Sequence, residues 1–255
     1  MRRLPALLAL LTLVAGCSSS GTETGGNRSG DAASSGQLRI YAASSLTEAF
    51  DALKRTFLVA HPGAKVTITY GASSDLATQI SQGAPADVFA SAAEKNMTSL
   101  GGAALHPTDF ASNTLAIAVP PGNPAKITSV KDLAKGGVKV AVCDPAVPCG
   151  VVATKVFANT GINVQPTASE PDVKSALAAV ESGEVDAGLV YVTDVLAADG
   201  KVKSIPIPAA VNASTTYPIA ALKDARNAVL AKAFVDQVLS AAGQKVLAAA
   251  GFGPR

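Results

Sequence analysis

The sequence has no tryptophan, and aromatic residues make up only 4% of its 255 residues. It contains no run of lysine or arginine, and its few aromatic residues are not interleaved with basic ones. A nucleic-acid-binding surface needs clustered positive charge and stacking side chains, so the composition argues against that class of function. No internal repeat of solenoid length is present either.

A long hydrophobic run is also missing. The apolar stretch from Leu7 to Val14, which follows Arg2 and Arg3, is too short to span a membrane as a mature helix and is typical of a secretory signal peptide. It runs into Leu13-Val14-Ala15-Gly16-Cys17, which resembles the bacterial lipobox, where the cysteine thiol receives a diacylglycerol. An ordinary signal peptide followed by a chance cysteine is the alternative. We therefore predict a signal peptide over residues 1–16 and a lipid anchor at Cys17.

Residues 18–36 are almost all Gly, Ser, Thr, Ala and Asn, with too few apolar groups to fold. With Cys17 they are expected to form a flexible linker, residues 17–36, with a reach of roughly 25 Å. It would hold a globular body, starting near Gln37, on the extracytoplasmic face of the cell membrane. Removing residues 1–16 leaves 19 basic and 19 acidic residues, so the mature chain carries no net charge that would attract anions.

The two remaining cysteines, Cys143 and Cys149, lie six positions apart in a chain expected to reach an oxidising compartment. This spacing favours a disulfide, which in a loop so short would stabilise the fold by about 2 kcal/mol and shape that loop. A metal site is the alternative, but neither His61 nor His106 is close in sequence and structural zinc needs four ligands.

Short apolar runs rich in β-branched residues alternate with amphipathic segments, which is the pattern of βα units around parallel sheets. The predicted strands are Leu38 to Ala42, Lys65 to Tyr70, Val88 to Ala90, Leu115 to Val119, Val138 to Val142, Ala187 to Tyr191 and Val202 to Ile205. The predicted helices are Leu46 to Ala60, Leu76 to Gln82, Val151 to Asn159, Val173 to Ser182 and Asn227 to Ala249. Their apolar stripes, such as Leu46, Phe50, Leu53 and Phe57, are predicted to be core.

The segment Pro120 to Pro124 interrupts this pattern, and the chain is expected to cross back around Ser214 to Ala221. Two crossings predict an α/β protein with two discontinuous lobes, residues 37–119 plus 215–255 and residues 120–214. A ligand site is expected in the cleft between the lobes.

In four places a strand is followed by a small or polar residue and then by a helix. These places are Ser45-x-x-Glu48, Ser73 or Ser74, the loop Asp144 to Gly150, and Ser169-x-x-Asp172. Each is by itself an ordinary helix start, and a serine is expected at the N-cap in the first, second and fourth. If all four meet at the cleft, their free N–H groups and hydroxyls predict an anion site that needs no lysine or arginine.

Five segments resemble, in the same order, the periplasmic molybdate-binding proteins of ABC importers. They are Ala43 to Thr47, Tyr70 to Ser74, Gly83 to Ala92, Asp144 to Gly150 and Gly188 to Tyr191, and the likeness covers about residues 37–255. The resemblance implies a type II periplasmic-binding fold with mostly parallel sheets, and a monomer that delivers molybdate or tungstate to an ABC permease. It implies no enzymatic activity and no cofactor.

By motif position, the resemblance assigns five ligand groups to the anion. They are the hydroxyls of Ser45, Ser73 and Tyr191 and the backbone N–H groups of Cys149 and Val173. The metal would be contacted only through the molybdate oxygens, without direct ligation. Cys149 departs from the family, which commonly has a small residue without a thiol at this position.

Other functions remain open at this point. Sulfate or another tetrahedral oxyanion is the nearest alternative ligand. Asp87 and Asp194, near strand ends, could form an acid/base pair, but structural roles are favoured because an unpaired carboxylate would repel an anion. A lipoprotein hydrolase is disfavoured because the Gly71 to Asp75 segment is not a G-x-S-x-G elbow and neither histidine is suitably placed. A surface scaffold or adhesin without a small ligand is the remaining class.

Overall fold

The computed structural model describes residues 35–255, so the predicted signal peptide, Cys17 and nearly all of the predicted linker lie outside the described residues. The strands are β1 (Gly36–Ala43), β2 (Ala64–Gly71), β3 (Val88–Ala90), β4 (Ala104–Val119), β5 (Val140–Cys143), β6 (Ala168–Glu170), β7 (Ala187–Tyr191), β8 (Lys203–Pro206) and β9 (Ser214–Leu222). The helices are α1 (Thr47–Ala60), α2 (Ser73–Ser81), α3 (Glu94–Thr98), α4 (Pro148–Thr160), α5 (Val173–Glu181), α6 (Val192–Ala197), α7 (Ala228–Leu239) and α8 (Ala241–Ala249). Within residues 35–255, no helix is long and apolar enough to cross a membrane.

The strands join in the order β2-β1-β3-β9-β4-β7-β5-β6, and β8 pairs with β4. Strand β1 runs parallel to β2 and β3, and β5 runs parallel to β6 and β7. Strands β4 and β9 are antiparallel to each other, and they also pair with β7 and β3 respectively. Two parallel groups are thus linked by β4 and β9, which carry the chain from one group to the other and back.

Each parallel group has its own hydrophobic core. What we call the first core surrounds β1 and includes Leu38, Phe50 and Phe234. The second core surrounds β5 and β7 and includes Val156 and Leu189. Side chains alternate between the faces of a strand, so the opposite face of the β1 group packs a smaller cluster against α2 and α3.

The predicted α/β fold with helices flanking parallel strands is confirmed. The apolar stripe of the first predicted helix, Leu46, Phe50, Leu53 and Phe57, is fully buried, with at most 1% of any of these residues exposed. The exact limits of the two lobes stay a prediction.

Four differences from the predicted elements stand out, and one is that strand β9 lies where the sequence predicted only a chain crossing. The predicted strand over Leu115 to Val119 is the end of the 16-residue strand β4, because residues 104–114 pair with β9. The short elements α3, β6 and α6 were not predicted, since they are too short to show a period of their own.

The helix predicted over Asn227 to Ala249 is in fact two helices, α7 and α8. Ser240 between them has an extended ψ of 159°, and its Oγ accepts a hydrogen bond of 3.1 Å from the N–H of Gly243. A Cβ at position 243 would lie 2.1 Å from the carbonyl oxygen of Gln237, so only glycine allows this close approach.

Candidate anion-binding site

A small cavity lies where the carboxyl ends of the parallel strands meet, which is where open α/β sheets bind ligands. It is a partly open pocket, and the roughly 220 Å³ of space not filled by atoms includes open solvent. Its lining residues come from the ends of β1, β2 and β7 and from the segments that follow β1, β2, β3, β5 and β6. They are Ala43, Ser44, Ser45, Gly71, Ala72, Ser73, Ala92, Val147, Pro148, Cys149, Asp172, Val173 and Tyr191. All five residues that the family resemblance assigned to the anion therefore line one cavity.

Ser45 reaches the cavity in a different way from the one predicted. Residues Ser44–Leu46 form a 3₁₀ turn, and the N-cap of α1 is Leu46, so the predicted capping box at Ser45 is wrong. The Oγ of Ser45 instead lies 2.8 Å from the hydroxyl oxygen of Tyr217, a residue that the sequence did not assign to the site. The hydroxyl is thus oriented by a distant tyrosine, and the nearest helix does not use it.

Ser73 is the first residue of α2, and the N-cap is Ala72, so the predicted cap at Ser73 or Ser74 is also wrong. The Oγ of Ser73 accepts a hydrogen bond of 2.9 Å from the N–H of Ala92. Because that bond uses the oxygen as an acceptor, the hydroxyl proton of Ser73 remains available for donation. Ser73 is buried, as is Ser45.

The loop before α4 brings the N–H of Cys149 to the cavity. Val147 is the N-cap and Pro148 is the first helical residue, so the N–H of Cys149 belongs to the first turn, whose donors have no partner within the helix. Cys149 is joined to Cys143 by a disulfide, with Cα atoms 5.7 Å apart. A Cβ on Gly150 would lie 1.9 Å from the carbonyl oxygen of Asp144, so a glycine is required for this tight turn.

The N-cap of α5 is Asp172, three residues after the predicted Ser169, which lies within β6. The Oδ1 of Asp172 accepts hydrogen bonds from the N–H groups of Lys174 and Ser175, at 2.7 and 3.1 Å. The carboxylate of Asp172 does not bond to the N–H of Val173, and this N–H makes no backbone hydrogen bond in the described chain. Val173 lines the cavity. Asp172 is the single carboxylate among the lining residues within 35–255.

Tyr191 ends β7 and is 1% exposed. Its hydroxyl oxygen is buried and makes no hydrogen bond of standard geometry among the described residues, and the Tyr217 hydroxyl is its near neighbour. Burial raises the pKa of this hydroxyl well above its usual value, and the nearby Tyr217 and Asp194 add to the rise. The hydroxyl therefore stays protonated at neutral pH and is available as a donor.

The two aspartates that could have formed an acid/base pair are engaged in structural contacts. The carboxylate of Asp87 accepts hydrogen bonds from the N–H groups of Arg39 and Arg226, both at 2.7 Å. Asp194 accepts from the N–H of Tyr191 at 3.1 Å and lies 3.2 Å from the Nζ of Lys174. Burial raises the pKa of Asp194 to about 6, against the opposing effect of Lys174.

The lining contains no lysine, arginine or histidine within residues 35–255, and no cluster of metal-ligating side chains is found in that range. Neither His61 nor His106 lines the cavity, so the serines there have no imidazole base. What the geometry offers is a set of donors, three hydroxyls and the N–H groups of two helix starts, which suits an oxyanion.

Comparison with known proteins agrees with this geometry. A family model described as "Bacterial extracellular solute-binding protein" matches residues 38–253. The chain is 43% identical over 216 residues to the "Molybdate-binding protein ModA" of Mycobacterium tuberculosis, covering 84% of this chain and 83% of the relative.

Solved structures of other binding proteins share the fold. The periplasmic molybdate-binding protein of Azotobacter vinelandii has a TM-score of 0.75 at 23% identity, over 86% of this chain and 99% of that chain. The sulfate-binding protein SubI of Mycobacterium tuberculosis has a TM-score of 0.77 at 19% identity, over 86% of each chain. These likenesses confirm the predicted two-lobed periplasmic-binding fold. The family model and the 43% identity show that the chain belongs to the bacterial extracellular solute-binding proteins.

Proposed function

We propose that this chain is a lipid-anchored extracytoplasmic solute-binding protein that captures molybdate or tungstate for an ABC importer. The observation that carries the proposal is the buried hydroxyl of Tyr191, which makes no hydrogen bond of standard geometry in residues 35–255 and shares a cavity with two serine hydroxyls. A buried hydroxyl without a partner is costly, so it indicates a ligand that accepts its proton. The name of the relative at 43% identity supports molybdate as that ligand.

The donor set favours a tetrahedral oxyanion that has lost all its protons. Ser45, Ser73, Tyr191 and the N–H groups of Cys149 and Val173 can all donate, and each oxygen of such an anion can accept. Phosphate still keeps one proton near neutral pH, because its last proton leaves only at strongly alkaline pH, and this proton would meet a donor. Sulfate has the charge and shape of molybdate but shorter bonds to oxygen, so its hydrogen bonds would be stretched.

The donors come from both parallel groups. Ser45 and Ser73 follow β1 and β2, whereas Cys149, Val173 and Tyr191 follow or end β5, β6 and β7. One anion that contacts all five would bridge the two lobes and favour the closed cleft. We place the lobes at residues 37–119 plus 215–255 and residues 120–214, with the protein acting as a monomer beside its permease.

Calorimetry with the wild type and single serine variants tests the ligand and its site. Ser45→Ala and Ser73→Ala are each expected to weaken molybdate binding by about 1.5 to 3 kcal/mol, the range for a hydrogen bond to a charged group, or roughly 10- to 150-fold. Ser74→Ala is the matched control, since Ser74 neighbours Ser73 in α2 but does not line the cavity. Unchanged affinity in both cavity variants would remove these serines from the site.

Competition at neutral pH tests the choice of anion. Molybdate and tungstate are expected to displace sulfate readily, and phosphate is expected to compete weakly. If sulfate bound as tightly as molybdate, the protein would be a sulfate or general oxyanion receptor. Turnover of ester or phosphoester substrates that is lost in Ser73→Ala would instead favour a hydrolase.

Anchoring is proposed from the sequence motif ending in Cys17, which lies outside the described residues. Cys17→Ser in the full chain is expected to abolish incorporation of labelled fatty acid and to release the protein from the membrane fraction. Continued lipid labelling of the variant would reject Cys17 as the anchor.

A further inference from the structure

Tyr217 lies at the back of the proposed site without lining it. The residue is on β9, paired with Ala111 of β4, and is fully buried. Its hydroxyl oxygen is 2.8 Å from the Oγ of Ser45, and its ring lies 6.3 Å from the ring of Tyr191. It therefore contacts the hydroxyl of Ser45 from one parallel group, and its ring packs near the ring of Tyr191 from the other.

The phenol of Tyr217 has little freedom to move. Its ring packs edge-on against Phe110 and Phe252, with centroid distances of 6.1 and 5.3 Å. Burial raises the pKa of the Tyr217 hydroxyl above its usual value, although the hydrogen bond with Ser45 lowers it in part. The group is thus a fixed, protonated hydroxyl at neutral pH.

The hydrogen bond between the two hydroxyls can run in either sense. If Ser45 donates to Tyr217, the single proton of Ser45 is used and only its oxygen lone pairs face the cavity. If Tyr217 donates to Ser45, the proton of Ser45 is left free for an anion. An oxyanion in the cavity requires the second sense, in which donation runs from Tyr217 to Ser45 to the anion.

We propose that Tyr217 is a positioning residue. By donating a hydrogen bond to the Ser45 oxygen, it holds the Ser45 hydroxyl in the orientation in which the Ser45 proton is donated to the bound anion. The inference rests on the proposed function and adds to it a residue that does not touch the ligand. If this role is correct, the effect of the Tyr217 hydroxyl on anion affinity requires the Ser45 hydroxyl. An effect through packing of the Tyr217 ring would not require it.

A double-mutant cycle tests this dependence by calorimetry with molybdate. Tyr217→Phe keeps the ring and is expected to weaken binding about threefold to tenfold, the range for one neutral hydrogen bond. In the Ser45→Ala background, Tyr217→Phe is expected to change the affinity by less than about twofold, because its partner is already gone. Tyr70→Phe is the control: the Tyr70 hydroxyl bonds to Asp51 at 2.9 Å, and the residue does not line the cavity.

The outcomes separate the two proposals. A wild type that does not bind molybdate contradicts the proposed function itself. If the wild type binds molybdate but Tyr217→Phe keeps full affinity, the role of Tyr217 alone is overturned. The same holds if Tyr217→Phe weakens binding by the same factor with and without the Ser45 hydroxyl.

If Tyr217→Phe does not fold, the hydroxyl proton of Tyr217 in the wild type is followed by NMR. A hydrogen-bonded resonance that shifts on adding molybdate is expected, and a resonance that stays unchanged would refute the positioning role.

Discussion

Removing the carboxylate of Glu48 should weaken anion binding although Glu48 does not line the cavity. The Nζ of Lys174 lies 2.8 and 2.9 Å from the two carboxylate oxygens of Glu48, and 3.2 Å from the Oδ1 of Asp194. Glu48 is on α1, which packs on the first core, whereas Lys174 is on α5, which packs on the second. The ion pair therefore joins the two parallel groups and would be broken by opening of the cleft.

The magnitude follows from how far the pair is exposed. The Lys174 side chain is 25% exposed and the Glu48 side chain 48%, so solvent screens much of the attraction. Burial alone would lower the pKa of Lys174, but the carboxylates of Asp194 and Glu48 raise it above its usual value, so the lysine stays charged. Exposed pairs contribute about 0.2 to 1 kcal/mol, which predicts a loss of affinity of up to about fivefold for Glu48→Gln.

Molybdate calorimetry of Glu48→Gln and wild type at low and high ionic strength checks this prediction. Lys174 keeps Asp194 as a partner in the variant, so the fold should survive. The difference between the two proteins should shrink at high salt, because a partly exposed pair is screened. Asp236→Asn is the matched control, since its exposed pair with Lys232 lies within α7. Equal affinity of Glu48→Gln and wild type at low salt would refute the ion pair as a contribution to closure.

Three further predictions concern the loop, the buried carboxylate and the cleft. Replacing Cys143 and Cys149 by serine should lower the free energy of unfolding by about 2 kcal/mol, measured by urea denaturation, and both thiols reactive in unreduced wild type would reject the bond. Burial raises the pKa of Asp194 from 3.8 to about 6. The fold therefore holds this proton more tightly than the unfolded chain, and wild type should lose stability relative to Asp194→Asn as the pH rises from 4 to 6. If the free energies of unfolding of wild type and Asp194→Asn changed with pH in the same way, this prediction would be contradicted. Small-angle scattering should show a smaller radius of gyration with molybdate, and an unchanged radius would argue against closure.

The capping box predicted at Ser45-x-x-Glu48 shows why local patterns fail at this site. Both side chains are used across the fold: Ser45 bonds to Tyr217, 172 residues away, and Glu48 bonds to Lys174, 126 residues away. A capping pattern describes hydrogen bonds within one helical turn, so it does not include the distant partners that the tertiary fold brings to Ser45 and Glu48.

The core was more predictable than the caps. The stripe from Leu46 to Phe57 is buried as predicted, because a stripe at helical spacing is a local property of the sequence. The cap of α5 was misplaced because β6 continues through Glu170 by pairing with β5, and sheet pairing is not a local property. Asp172 then becomes the first residue free to cap.

The cavity itself follows from topology. Five loops after parallel strands bring their residues together because the carboxyl ends of such strands share one edge. The family resemblance therefore assigned residues that the fold does bring to one place. Tyr217 lies on the antiparallel strand β9, where the sequence predicted only a chain crossing. It belongs to no motif and to no helix start, so the sequence did not indicate it as a site residue.

Charge compensation explains how a cavity without lysine or arginine in its described lining can accept the proposed dianion. Asp172 has its Oδ1 bonded to two N–H groups of α5, and Asp194 is paired with Lys174. A carboxylate at a helix N-terminus is stabilised by the helix dipole, so neither aspartate is an uncompensated charge. A protonated anion would set its proton against an N–H or hydroxyl donor, unless that proton lay against the carboxylate of Asp172, whose Oδ1 already accepts from two N–H groups of α5. The proposed preference for molybdate over phosphate therefore depends on the donors of the lining and on how far the carboxylate of Asp172 is engaged by α5, and it needs no net charge on the protein.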